Sequence, residues 1–265
     1  AELFRRCSRA VINMDDPYAP RMLAAAQCPV LTTSVHGNAD LRAEAVELHS
    51  DSIRFTAVCG ESRADVSVPI PGRFTVYNTL TVLAAAMCLG VPLEAAAAAM
   101  ADVRGVKGRI EVVPTPGVPY TVIIDYAHSP DGLENVLRSV RDFCKGRLIS
   151  VFGCGGDRDP MKRPIMGRIG VECADFAIIT SDNPRTEDPN KIIDMILAGI
   201  PDKKNCLVEE NRRKAIRMAM DLARKDDIIV LCGKGHETYQ IIGTEKTHLD
   251  EREEVAAHLR EKKGM

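Results

Sequence analysis

The pattern of apolar and polar positions along the 265-residue chain changes near residue 110. Before that point it is mixed. Val11-Ile12 is a short apolar run closed by the polar turn Asn13-Met14-Asp15-Asp16-Pro17. Residues 53–58 and 66–70 alternate apolar with polar, as half-buried strands do. Helices are predicted over 78–89 and 93–103, separated by Gly90 and Pro92, and the second is rich in alanine, a strong helix former.

From 110 onward the rhythm is regular. Apolar runs at 120–124, 148–152, 176–180 and 228–231 predict strands, with shorter ones expected near 207–208 and 239–242. A helix opens at Ser129-Pro130-Asp131, and its positions Leu133, Val136, Leu137, Val140 and Cys144 fall on one face. Further helices are predicted near 165–173, after Asp188-Pro189, over 213–225 and over 250–262. Unbroken apolar strands alternating with amphipathic helices imply a mostly parallel sheet covered on both faces. The second half is therefore expected to be α/β and Rossmann-like.

Composition narrows the partners. Apolar residues make up 45% and charged residues 27%, enough for a sizeable core. With 35 basic against 37 acidic residues, no tryptophan and 4% aromatics, the chain lacks both the charge and the stacking surface for nucleic acid. No apolar stretch approaches the ~18–20 residues of a membrane span, and no charged-then-apolar leader is present, so a soluble protein without membrane insertion is expected. The nine cysteines form no C-x-x-C pair and fall mostly in apolar runs such as 229–232. They read as small buried hydrophobes of a reducing cytosol rather than zinc ligands or disulfides. The chain starts at Ala1, inside sequence that already reads as folded, so a fragment of a longer protein is expected.

The chemistry follows the strands. After Ile124 comes Asp125-Tyr126-Ala127-His128-Ser129-Pro130-Asp131. After Phe152 comes Gly153-Cys154-Gly155-Gly156-Asp157-Arg158-Asp159, and after Thr180 comes Ser181-Asp182-Asn183-Pro184-Arg185. After Leu231 comes Cys232-Gly233-Lys234-Gly235-His236-Glu237. In a parallel sheet all four segments emerge at the carboxyl edge, where open α/β sheets bind ligands. Each segment also has a plainer reading: Asp182-Asn183-Pro184 as a turn, His128 as a structural hydrogen-bonding residue, the glycines as tight turns. Independent turns need not bring Arg158, Arg185 and Glu237 together, and that favours a ligand.

Nucleotide motifs fail in this stretch. A dinucleotide fingerprint needs glycine where Arg158 stands, and the single Gly-Lys pair, Gly233-Lys234, is followed by Gly235 instead of the hydroxyl residue of a P-loop. Two guanidiniums and an acid suit a small zwitterion better, because guanidinium forks match carboxylates and Glu237 suits an ammonium.

These segments resemble the Mur ligases, the ATP-dependent enzymes that add amino acids in peptidoglycan synthesis. The resemblance runs along nearly the whole chain. It includes Asn13-Met14-Asp15-Asp16, Gly72-Arg73-Phe74 to Asn78, Gly108-Arg109-Ile110-Glu111 and the four loops. Asp182-Asn183-Pro184-Arg185 is similar to the signature of the branch that adds meso-diaminopimelate rather than L-lysine to UDP-N-acetylmuramoyl-L-alanyl-D-glutamate. The resemblance implies that residues 1–110 are part of a central ATPase domain lacking its P-loop, and 111–265 the C-terminal amino-acid-binding domain. It implies ATP contacts at Asn78, Arg109, Asp125 and His128. It also implies a diaminopimelate site of Arg158, Asp182, Asn183, Pro184, Arg185, Gly233 and Glu237. Mg2+ is implied too, with its principal ligands outside this stretch, as are a monomer and a cytoplasmic location. ATP would convert the D-glutamyl carboxylate to an acyl phosphate, which the amine of diaminopimelate attacks. The isolated piece is expected to be inactive. Thr75, Ile110 and Ser129 depart from the usual family residues. Two alternatives stay open: another amide ligase of the superfamily, of folylpolyglutamate or cyanophycin type, and a non-catalytic amino-acid-binding module.

Overall fold

The computed structural model describes residues 1–263, which divide into two compact units, the first Ala1–Arg104 and the second beginning at Gly105. In the first unit five strands, β1 (Ala10–Asn13), β2 (Val30–Ser34), β3 (Leu41–Leu48), β4 (Ile53–Cys59) and β5 (Ser62–Val68), lie in that order in one sheet. β1, β2 and β3 run parallel, and β3, β4 and β5 antiparallel. Helix α1 (Ala19–Ala25) joins β1 to β2, while α2 (Arg73–Cys88) and α3 (Leu93–Ala99) follow the sheet. Leu80, Leu83 and Ala84 of α2 and Leu93, Ala96 and Ala97 of α3 close a core with Leu41, Ile53, Phe55 and Val66 of the strands.

The sequence pattern finds β4, β5, α2 and α3 with shifted ends. The predicted 93–103 helix gives way to a 3-10 turn at Met100–Asp102, and the predicted 66–70 strand is Ser62–Val68.

The second unit contains β6 (Glu111–Val113), β7 (Thr121–Asp125), α4 (Pro130–Arg141), β8 (Leu148–Phe152), α5 (Lys162–Glu172) and β9 (Phe176–Ile179). It continues with α6 (Pro189–Leu197), β10 (Cys206–Val208), α7 (Arg212–Leu222), β11 (Ile228–Cys232), β12 (Tyr239–Ile242), β13 (Glu245–His248) and α8 (Glu251–Lys263). Its six-stranded sheet has the order β10-β9-β8-β11-β7-β6, parallel except for the edge strand β6. All five residues of β8 and of β11 are buried, which explains their unbroken apolar sequence.

On one face Ile124, Ile149, Ile178 and Ile229 pack with Ala215, Ile216 and Met220 of α7 and Val255 and Leu259 of α8. Against the other face, α5 comes so close that a methyl on Gly170 would overlap the Phe152 ring. Ser129 caps α4, Asp188 caps α6 and Asn211 caps α7, each side chain accepting from amides of the first turn.

Three expectations change here. The strand near 239–242 exists, but it pairs antiparallel with β13 outside the main sheet. Cys144 lies beyond the end of α4, and Phe143 is the buried residue there. Cys154 and Cys232 are buried, whereas the other seven cysteines are only half-buried. Burial pushes the Cys154 thiol up to about 12 and Cys232 well above its ordinary value, so both stay protonated. Among the described residues no helix is long and apolar enough to cross a membrane.

Candidate functional site

Because β7, β8, β9 and β11 are parallel neighbours in one sheet, the loops that follow them share its carboxyl edge. Their contact is direct. The Gly156 amide donates to the Asn183 carbonyl at 2.9 Å, and a methyl on Gly156 would lie 1.8 Å from the Pro184 carbonyl oxygen. Only glycine permits that approach of the β8 loop to the β9 loop. Gly233, at φ +114°, donates to the Asp125 carbonyl at 3.0 Å and passes so close to Asp182 that a methyl there would meet Oδ2 at 2.6 Å. The β11 loop is thereby held between the β7 and β9 loops.

The charged residues converge as the loops do. A methyl on Gly155 would lie 3.0 Å from Arg185 Nη1 and 3.8 Å from Arg158 Cγ, so both arginines lie against that glycine. Arg185 is half-buried, and its Nη1 donates to the Gly156 carbonyl at 2.7 Å. Among the described residues its Nε and Nη2 have no hydrogen-bond partner, which leaves one edge of the fork for a ligand. Arg158 is exposed and donates from Nη1 to the Asp157 carbonyl. On the adjoining loop Asn183 Nδ2 donates to Glu237 Oε2 at 3.0 Å. Arg158, Asp182, Asn183, Pro184, Arg185, Gly233 and Glu237 thus lie together on three touching loops.

Backbone strain is stored at the same place. Asp157 (φ +54°) and Arg185 (φ +52°) occupy the left-handed region without being glycine, and such residues persist where their surroundings over-determine them. Here the determinants are visible. The Arg185 amide donates to the Ile241 carbonyl of β12, and its carbonyl accepts from the Gly243 amide. Asp157 accepts from the Thr186 hydroxyl at 2.7 Å and donates its amide to Glu187. The small β12–β13 ladder is the prop that fixes the arginine's backbone.

The second group of expected residues is divided. Asn78 lies on the exposed side of α2 in the first unit. Arg109, Asp125 and His128 belong to the second. There the Arg109 guanidinium sits 5.3 Å from the Tyr126 ring centre, and that ring meets His128 at 4.7 Å and His236 at 5.0 Å. Asp125 is buried, and both oxygens accept main-chain amides, Oδ1 from Ala127 and Oδ2 from Ile110, each at 2.8 Å. It latches residues 108–110 onto β7, so its structural role is complete without a ligand. His128 is exposed, with Nδ1 at 2.8 Å from the Tyr126 carbonyl, while its own carbonyl accepts from Lys162.

Sequence reasoning missed several residues that build the rim. Arg163, buried on α5, bonds both oxygens of Glu187 at 2.8–2.9 Å, and that pairing raises its pKa further despite burial. Lys234 is fully buried beneath the β11 loop, and Gln240 donates to the Asp182 carbonyl at 2.7 Å. Nothing in the linear pattern marks these polar side chains as interior. A groove of about 730 Å³ between α4 and α5 is lined by none of the expected site residues, and its Arg138 and Arg141 are already paired with Glu134 and Asp175.

A mostly parallel α/β sheet, with arginines and an acid gathered at its carboxyl rim, places the second unit in the Rossmann-like class. Family models agree on what carries it: residues 1–86 match the Mur ligase middle domain, and residues 108–235 match the Mur ligase glutamate ligase domain. The chain belongs to the Mur ligase family. It is 46% identical over 260 residues to the UDP-N-acetylmuramoyl-L-alanyl-D-glutamate–2,6-diaminopimelate ligase of Clostridium botulinum, covering 98% of this chain and 54% of that one. To the ligase of the same name in Gloeobacter violaceus it is 48% identical over 259 residues, with 98% and 53% covered. A solved structure bearing that enzyme name superposes with a TM-score of 0.80 at 35% identity, over 98% of this chain and 55% of the other. The chain spans about half the length of the curated relatives it matches.

Proposed function

We propose that the second unit is the amino-acid-binding part of an ATP-dependent ligase that adds meso-diaminopimelate to UDP-N-acetylmuramoyl-L-alanyl-D-glutamate. The observation that carries this reading is the placement of Arg158 and Arg185 together against Gly155, one loop away from Glu237, in a chain so similar to ligases of that name. Diaminopimelate carries a carboxylate and an ammonium at each end. In the proposed pose, the free edge of the Arg185 fork pairs with one carboxylate in two parallel hydrogen bonds, and Glu237 takes the ammonium beside it. The opposite amine then projects from the rim as the nucleophile.

The residues of the second unit that fit a nucleotide are Arg109 and Lys162, cations suited to phosphate, with Tyr126 as a ring surface beside them. ATP, when bound, supplies the phosphoryl group that activates the D-glutamyl carboxylate toward the amine. This chain's contribution is positioning: it fixes the amine's direction and removes much of the entropy of a bimolecular encounter. Arg109 and Lys162 add positive charge where phosphate oxygens gather negative charge. Asp125, with both oxygens committed to amides, keeps the 108–110 segment in place for Arg109 to act.

Selectivity against L-lysine follows from the same geometry. Lysine has no distal carboxylate, so its binding would desolvate the Arg185 fork without pairing it. A site built around such a group rejects the analogue lacking it by ~10⁴-fold. In the full-length ligase that carries this segment, Arg185→Ala is expected to abolish the preference for meso-diaminopimelate over L-lysine while leaving ATP affinity unchanged. A ligation assay with both amino acids measures it, and an unaltered preference would remove Arg185 from the site.

A further inference from the structure

One buried cation has no part in the reading above. Lys234 has 0% of its surface exposed, and a lysine is almost never found so unless it is paired. Its Nζ donates to Asn183 Oδ1 at 3.0 Å and lies 3.4 Å from Glu237 Oε2. The first bond decides the orientation of the asparagine. Oδ1 receives both Lys234 and the Ile241 amide (3.0 Å), so Nδ2 must point the other way, and there it donates to Glu237. A continuous relay runs from the buried ammonium through the Asn183 carboxamide to the carboxylate at the rim.

Electrostatics adds a second, independent indication. The charges that weigh most on Lys234 are Asp182, Arg212, Glu237 and Glu251. Asp182 Oδ2, in a side chain that is itself buried, has no hydrogen-bond partner. A buried carboxylate oxygen left unfilled beneath the rim suits a cationic ligand. Burial holds the Lys234 ammonium below the ordinary lysine value, and Asp182, Glu237 and Glu251 oppose that shift.

We infer that Lys234 is a positioning residue: through Asn183 it fixes Glu237 to receive an ammonium of the amino-acid substrate. The inference rests on the proposed amino-acid site. Its test is calorimetric titration of meso-diaminopimelate into the 265-residue chain and into Lys234→Met, Glu237→Gln and the double variant. Lys234→Met is expected to bind about 10- to 100-fold more weakly, the range for a hydrogen bond to a charged group. The double variant is expected to bind no more weakly than Glu237→Gln alone, because Lys234 acts through that carboxylate. Losses that multiply, or a Lys234→Met affinity within twofold of the unmutated chain, overturn the inference. No binding by the unmutated chain overturns the amino-acid site itself, a separate result.

Should Lys234→Met fail to fold by circular dichroism, the unmutated chain still decides. Its Lys234 ammonium nitrogen resonance is expected to shift with meso-diaminopimelate and to stay in place with heptanedioate, which has both carboxylates and no amine. The same response to both ligands, or to neither, overturns the inference.

Discussion

Arg212 and Glu251 form a salt bridge with neither side chain exposed, and removing one partner tests how the rim is supported. Arg212 opens α7, Glu251 opens α8, and their shortest contact is 2.7 Å. Arg212 Nη2 also donates to the Cys232 carbonyl at 2.8 Å, so the pair ties both helices to the end of β11 where the Gly233–Glu237 loop begins. Burial works against the arginine's charge, but Glu251 and Asp182 more than restore it, and its pKa rises. In Arg212→Met the Glu251 carboxylate is stranded in the interior. An exposed pair would cost at most ~1 kcal/mol on removal, whereas a buried partner left unpaired costs about 3–5 kcal/mol. At about 1.4 kcal/mol per decade, that is roughly two to nearly four decades of amide protection. Hydrogen exchange of residues 228–232, read by mass spectrometry under conditions where exchange reports opening free energy, measures it directly. Arg212→Met/Glu251→Leu is expected to recover most of the loss, because neither member of the pair is left as an unpaired buried charge. A single-variant loss below ~1 kcal/mol, or a double variant less protected than the single, would refute the reasoning.

Two further predictions follow from contacts at the rim and below it. Gly156→Ala places a methyl 1.8 Å from the Pro184 carbonyl oxygen, and a backbone atom cannot swing aside. Thermal unfolding is expected to register a loss of about 1–3 kcal/mol, with meso-diaminopimelate binding abolished in the same variant. Burial alone would raise the Asp227 carboxyl, but the Arg147 guanidinium and the amides of Arg147 and Arg224 hold it below its ordinary value of 3.8. With the folded-state pKa depressed, its contribution is present above that value and lost as pH falls through the folded pKa. Urea midpoints are therefore expected to fall less steeply below about pH 4 in Asp227→Asn than in the unmutated chain.

The second unit was largely legible in the sequence because its strands are buried on both faces. β7, β8, β9 and β11 read as apolar runs, and the polar residues after each had to fall on one edge. The first unit was less so. β3, with the sequence LRAEAVEL, is built from good helix formers and interrupted by a bulge between Glu44 and Glu47, with Ala45 at φ +51°. Its pairing with β4 overrides local propensity, a tertiary effect that no window along the chain registers. β2 and α1 are too short to carry a period.

At the site the outward-facing residues were legible and their supports were not. Arg185 and Glu237 stand in glycine- and proline-rich loops that announce a ligand edge. Lys234, Arg163 and Arg212 look like ordinary surface cations. Their burial depends on Asn183, Glu187 and Glu251, which lie 51, 24 and 39 residues away along the chain. Charge pairing at that separation is invisible to any local rule, though it decides how firmly the rim is held.

The central claim is that three loops at one sheet edge grip one doubly zwitterionic amino acid. A crystal structure of the chain soaked with meso-diaminopimelate tests it most directly. The claim predicts a carboxylate on the Arg185 fork and an ammonium within hydrogen-bond reach of Glu237. Density for the amino acid in the groove between α4 and α5, with the Arg185 fork unengaged, would contradict it.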